Sequence, residues 1–162
     1  MSILTCLLVC LGVIWHLTQN KSNPVMMSCS SELFDRSDDS GYETYLLVDL
    51  IMQGRGVQLN YRYFDTQGAN LGSIAMTGEL KSVSSDNRLY TLNMHKKQES
   101  ASVMETLQPS HMKYISYISS LNLNAYGNHN LSIEVLEQDD TNDYAIVLFQ
   151  PSNTVCGCRL MQ

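Results

Sequence analysis

Three cysteines stand where redox chemistry could use them. Cys29 lies near the start of a polar, strand-rich body, while Cys156 and Cys158 lie at its far end. A bridge from Cys29 to either one would close nearly the whole body into a loop. On a chain-entropy model so long a closure stabilises by about 4–5 kcal/mol, and it needs an oxidising compartment. Both pairings are open at this level, as is the alternative of three free, buried thiols. A Cys156–Cys158 bridge across Gly157 is disfavoured because the geometry is tight, so a disulfide would leave one thiol over. Cys-x-Cys with one distant cysteine lacks the paired spacing of a zinc site, and no metal site is expected.

The histidines offer a second chemistry. His95, His111 and His129 are the body residues whose ordinary titration falls in mildly acidic surroundings, which makes them candidates for sensing pH. The competing reading is three unrelated surface or hydrogen-bonded side chains. His95 adjoins Lys96 and Lys97, so protonation there would add charge to a basic corner. The acidic groups Asp35, Asp38, Asp39 and Asp139, Asp140, Asp143 lack the glycine and closing glutamate of an EF-hand loop, and read as solvated turns. The sequence contains no G-x-S-x-G elbow, P-loop, G-x-G-x-x-G or H-E-x-x-H pattern. No catalytic residue is assigned, no cofactor is expected, and the chain is read as non-enzymatic.

The elements that must position these groups are mostly strands. The chain has 162 residues and a net charge of −6, which fits one domain and gives no electrostatic reason to bind nucleic acid directly. Residues 42–52 are rich in Tyr, Leu, Val and Ile. After Gly54-Arg55-Gly56, residues 57–64 alternate, with Val57, Leu59, Tyr61 and Tyr63 on one face, which predicts the second arm of a hairpin. Residues 71–83 form a third run in which Gly72 and Gly78 suggest bulges. Residues 88–95, 131–136, 144–149 and 155–160 are further strands.

Ser102-Val103-Met104-Glu105 has the spacing of a capping box, which predicts a short helix that Pro109 ends. Residues 111–123 fit a helical face or a strand equally. The whole predicts a mainly β fold, an antiparallel sheet rolled into a small barrel or sandwich with one short helix. The nine tyrosines fill a core or, alternatively, line a pocket for an amphipathic ligand.

Residues 3–17 are apolar, and no Lys or Arg precedes Lys21. The segment lacks the basic start and small-residue cleavage site of a secretory signal. Residues 7–10 only loosely match a lipoprotein box. We read residues 1–20 as a transmembrane anchor in which Cys6 and Cys10 pack as small apolar groups; a cleaved signal is the alternative. Residues 21–28 read as a tether and 29–162 as a periplasmic β-rich domain.

This layout of apolar start, tether, Cys29-Ser30-Ser31, strand-rich body and closing Cys156-Gly157-Cys158 resembles the small inner-membrane accessory proteins of ToxR-like transmembrane transcription activators. That group includes ToxS, FidL and VtrC, and the layout is most similar to the PsaF/MyfF type. The resemblance covers the whole chain as a layout. It implies a single-pass inner-membrane protein whose periplasmic body pairs with such an activator as a heterodimer. Pairing would stabilise the activator and promote a fimbrial or virulence operon in response to acidity or a bile-like ligand. A free-standing periplasmic barrel that carries an amphipathic ligand is the alternative, and a secreted structural or adhesive subunit is a third reading.

Overall fold

In the computed structural model, residues 24–34, 43–101 and 108–161 are described. The expected anchor, residues 21–23 of the expected tether, the Asp35–Asp38–Asp39 cluster and the capping box at 102–105 lie outside them. Among the described residues no helix is long and apolar enough to cross a membrane.

Eight antiparallel strands form a closed barrel in simple sequence order, so the barrel reading holds over the sandwich. The strands are β1 (Val25–Phe34), β2 (Glu43–Gln53), β3 (Gly56–Phe64), β4 (Asn70–Val83), β5 (Leu89–Ala101), β6 (His129–Asp139), β7 (Tyr144–Gln150) and β8 (Thr154–Met161). Among the described residues one helix, α1 (Ser110–Tyr126), is present, and it joins β5 to β6. β1 starts four residues before the expected domain boundary, because Met27 joins the core and residues 25–28 pair with β2. That part of the expected tether is therefore strand.

The β2–β3 hairpin follows directly from its sequence. Gln53 pairs with Gly56 around a two-residue turn in which Gly54 has φ 58°, a left-handed conformation that glycine adopts without steric cost. Alternate residues then point inward on both arms: Leu46, Val48, Leu50 and Met52 on β2, and Val57, Leu59, Tyr61 and Tyr63 on β3. Each fully buried aliphatic side chain contributes about 1.5–3 kcal/mol. Both expected bulges are present. The β3–β4 register shifts between Tyr63 and Phe64, opposite Gly72, and the β4–β5 register shifts between Thr77 and Gly78.

Pro109 immediately precedes a helix, because its φ of −58° and missing N–H suit a helix start; the short helix expected ahead of it, from Ser102, lies outside the described residues. The run at residues 111–123, open between helix and strand in the sequence, is helical and lies within a helix of 17 residues. Met112, Ile115 and Ser119 lie on its buried face. Gly127, at φ 71°, ends it by donating its N–H to the Leu123 carbonyl at 2.9 Å.

The strands are unequal in reach. β5 pairs with β4 as far as Ala101, but with β6 only over Leu89–Met94. Residues 95–101 therefore rise above β6, and α1 packs beside them, against β4, β5 and β6. The helix takes the place of a strand at this end of the barrel.

Candidate functional site

The polar chemistry of the interior gathers where α1 meets the barrel. His111, the second residue of α1, lies between two strands. Its Nδ1 is 2.9 Å from the Tyr63 hydroxyl on β3, and its Nε2 is 2.7 Å from Oγ1 of Thr154 on β8. Thr154 in turn donates to Ser152 Oγ at 2.9 Å. These contacts fix one direction of donation. Thr154 spends its proton on Ser152 and accepts from Nε2–H, so Nδ1 is bare and accepts the Tyr63 proton. Burial lowers the His111 pKa to about 4. A second proton on the ring would turn Nδ1 into a donor and leave the Tyr63 hydroxyl, itself fully buried, without its acceptor.

A second polar group lies beneath the middle of the helix. The β4–β5 bulge leaves His95 as the extra residue between Met94, opposite Gly78, and Lys96, opposite Thr77, so the facing of β5 changes there. Lys97 pairs with buried Met76, and Glu99 with buried Ile74, which turns both charged side chains toward the helix. The Lys97 ammonium bonds to Glu99 and the Ser120 hydroxyl, and donates to the Ser116 carbonyl at 2.9 Å. The Ser116 hydroxyl donates to Glu99 at 2.6 Å. Burial raises the Glu99 pKa, but the bonds from Lys97 and Ser116 outweigh it and hold the carboxyl below its usual range.

His129, at the start of β6, is fully buried and accepts from the Asn122 amide at 2.9 Å. Burial, then the neighbouring Lys97 charge, lowers its pKa. With Nδ1 accepting, the ring proton sits on Nε2, which has no hydrogen-bond partner among the described residues. The fully buried Tyr61 hydroxyl is likewise unpartnered.

The three candidate histidines are thus not one cluster. His111 and His129 sit inside the mouth of the barrel, at the two ends of α1. His95 is on the outer surface, 3.8 Å from Glu79. The basic corner expected around it is divided by the bulge, which sends Lys97 inward and places the Glu79 carboxylate beside the ring. The sequence pattern does not single out Lys97 and Glu99, because one bulged residue reverses which side chains face in.

Cys29 and Cys158 form the disulfide, as directly opposed residues in the β1–β8 pairing. The bond spans the seam where the first and last strands meet. Cys156 is the thiol left over, buried on the same face of β8, and burial pushes its pKa up to about 12.

Asp139 accepts from the backbone of Thr141 and Asn142 and from the Asn142 amide, as a solvated turn does. Among the described residues no group of three or more His, Cys, Asp or Glu could hold a metal ion.

Of the tyrosines, Tyr61 and Tyr63 fill the core, whereas Tyr114, Tyr117 and Tyr126 are exposed on α1. Tyr117 is 68% exposed, and Leu121 lies one turn further along the same side. The exposed outer side of the helix carries one charge, Lys113. A second apolar surface, on the outer wall, is a groove lined by Tyr45, Leu47, Phe64 and the turn at residues 65–68. Set against known families, the sequence matches no family model, and it matches no curated protein.

Proposed function

We propose that this chain is a non-enzymatic binding module, held at the outer side of a bacterial inner membrane, that pairs with a ToxR-like membrane-bound transcription activator and stabilises it. The observation that carries this reading is the outer face of α1. Tyr114, Tyr117 and Leu121 are exposed at i, i+3 and i+7, on a helix whose inner face is already committed to the barrel mouth. Exposed tyrosines with little charge are the composition of a protein interface. Among the described residues no strand has a wholly free edge, so side chains of the helix, rather than strand addition, supply the contact.

In this reading acidity acts through the His111 contacts with Tyr63 and Thr154. Protonation breaks the bond pattern that ties the helix start to β3 and β8, and so alters the face the partner grips.

A photocrosslinking amino acid placed at Tyr117 tests the proposal in cells. The expected adduct contains a membrane protein with a DNA-binding domain, and Tyr114→Ser with Tyr117→Ser lowers both the adduct and the partner's level. Crosslinking to no such protein, with the partner's level unchanged, would rule the reading out.

A second reading, a carrier of an amphipathic ligand, draws on the fully buried Tyr61 hydroxyl, which could donate to a ligand oxygen inside the barrel. Binding of a bile-like molecule to the partner-free chain, lost on Tyr61→Phe, would favour it.

A further inference from the structure

The β1–β8 seam is only half zipped. Its ladder runs from Met26 opposite Met161 to Ser30 opposite Gly157 and then stops, although β1 continues to Phe34 and β8 begins earlier, at Thr154. The Cys29–Cys158 bond lies one residue from the point where pairing ends. Cys156 is the next inward residue of β8 beyond that point, and it contacts the Ser31 hydroxyl of β1.

We propose that Cys156 and Cys158 are alternative partners for Cys29, so that the staple on this seam moves two residues along β8 by thiol–disulfide exchange. A step of two keeps every side chain on its own face of the sheet. It would also lengthen the seam, since the shifted ladder runs from Val25 opposite Leu160 to Ser31 opposite Thr154.

The exchange balances without an outside oxidant. Cys156 loses its proton to solvent, and the thiolate attacks the Cys29 sulfur. The Cys29–Cys158 bond breaks, and Cys158 leaves as a thiolate that takes up a proton. Attack goes to Cys29 because bonding to Cys158 would force the tight bridge across Gly157.

Several groups control access to the thiolate. Ser31 faces Cys156 from β1, and Tyr61 and Tyr63 face it from β3. Burial raises the pKa of both tyrosines, and beyond Tyr63 stands His111 of α1. With the thiol pushed up to about 12, exchange is slow at neutral pH. Its rate climbs about tenfold per pH unit, without the plateau an ordinary thiol shows. The shift has a consequence for the helix. Thr154, which holds His111, is two residues from Cys156, so drawing β8 along the seam pulls on the start of α1.

The test uses the oxidised full-length chain. Incubation between pH 7 and pH 9 without added oxidant, acid quenching and non-reducing peptide mapping follow the bonds. We expect a Cys29–Cys156 peptide to appear, about tenfold faster for each pH unit and independently of protein concentration. Cys156→Ser should lose this product and keep the Cys29–Cys158 peptide. Cys158→Ser, oxidised with glutathione disulfide, should bond Cys29 to Cys156. The proposal is overturned if the wild-type chain yields only Cys29–Cys158 at every pH, a result that stands whether or not Cys158→Ser folds.

Discussion

The β2–β3 hairpin and the mouth under α1 close the same barrel by different means. In the hairpin, neighbouring strands satisfy the backbone along an unbroken register from Tyr45–Phe64 to Gln53–Gly56, and the inward side chains from Leu46 to Leu59 are apolar. At the mouth a helix stands where β6 falls short. A helix satisfies its own backbone and offers none of it to the edge of β5, so side chains bridge the two. There the inward positions carry Lys97, Glu99, His111 and His129. A strand wall needs only hydrophobic filling, whereas this helix-capped wall is held by side-chain hydrogen bonds, and it leaves Nε2 of His129 without a partner among the described residues.

The largest effect that would sharpen this contrast is expected in the hairpin. Leu50→Ala should lower the unfolding free energy by about 3 kcal/mol in urea titration, with no dependence on pH between 4 and 7. A smaller or pH-dependent loss would show that the hairpin does not stand apart from the mouth.

The next effect belongs to His111. Its folded pKa lies near 4 and its unfolded value near 6.5, so in that window the unfolded chain binds more protons. Stability from this residue is fully present above the unfolded value and falls as acidity increases toward pH 4. The loss is on the order of 2–3 kcal/mol. Subtracting the stability profile of His111→Gln from that of the wild type should isolate this slope. Parallel profiles would remove the residue from any acid response.

The smallest effect concerns the ion pair. Lys97→Met leaves Glu99 facing the helix without its cation, and should cost about 1–2 kcal/mol, since the pair is only partly buried. The double change Lys97→Met with Glu99→Leu should recover most of that loss. Failure to recover it would mean that the charges themselves, not their mutual satisfaction, hold the helix to β5.

Local chemistry made much of the fold legible. Val57, Leu59, Tyr61 and Tyr63 alternate because a strand buried on one face must do so, and Gly54 marks a turn because it takes a positive φ. Gly72 and Gly78 mark bulges for a related reason. A side chain at Gly78 would come within 2.1 Å of the Asn93 carbonyl oxygen. The helix was harder to read, since Tyr, Ile and Ser suit either structure, and Ser116 and Ser120 make bonds to β5 that composition does not reveal.

By itself the sequence determined a small, acidic, β-rich body with its cysteines at opposite ends, because side-chain alternation and turn residues act over a few neighbours. Tertiary structure alone decided that the sheet closes, that Cys29 meets Cys158, and that of the three candidate histidines His129 is buried and His111 half-buried. Those outcomes depend on β1 meeting β8 across 129 residues of chain, and on a single bulged residue that reverses the facing of β5. The first leaves no trace in local periodicity, and for the second Gly78 marks a bulge without showing which side chains of β5 it turns inward.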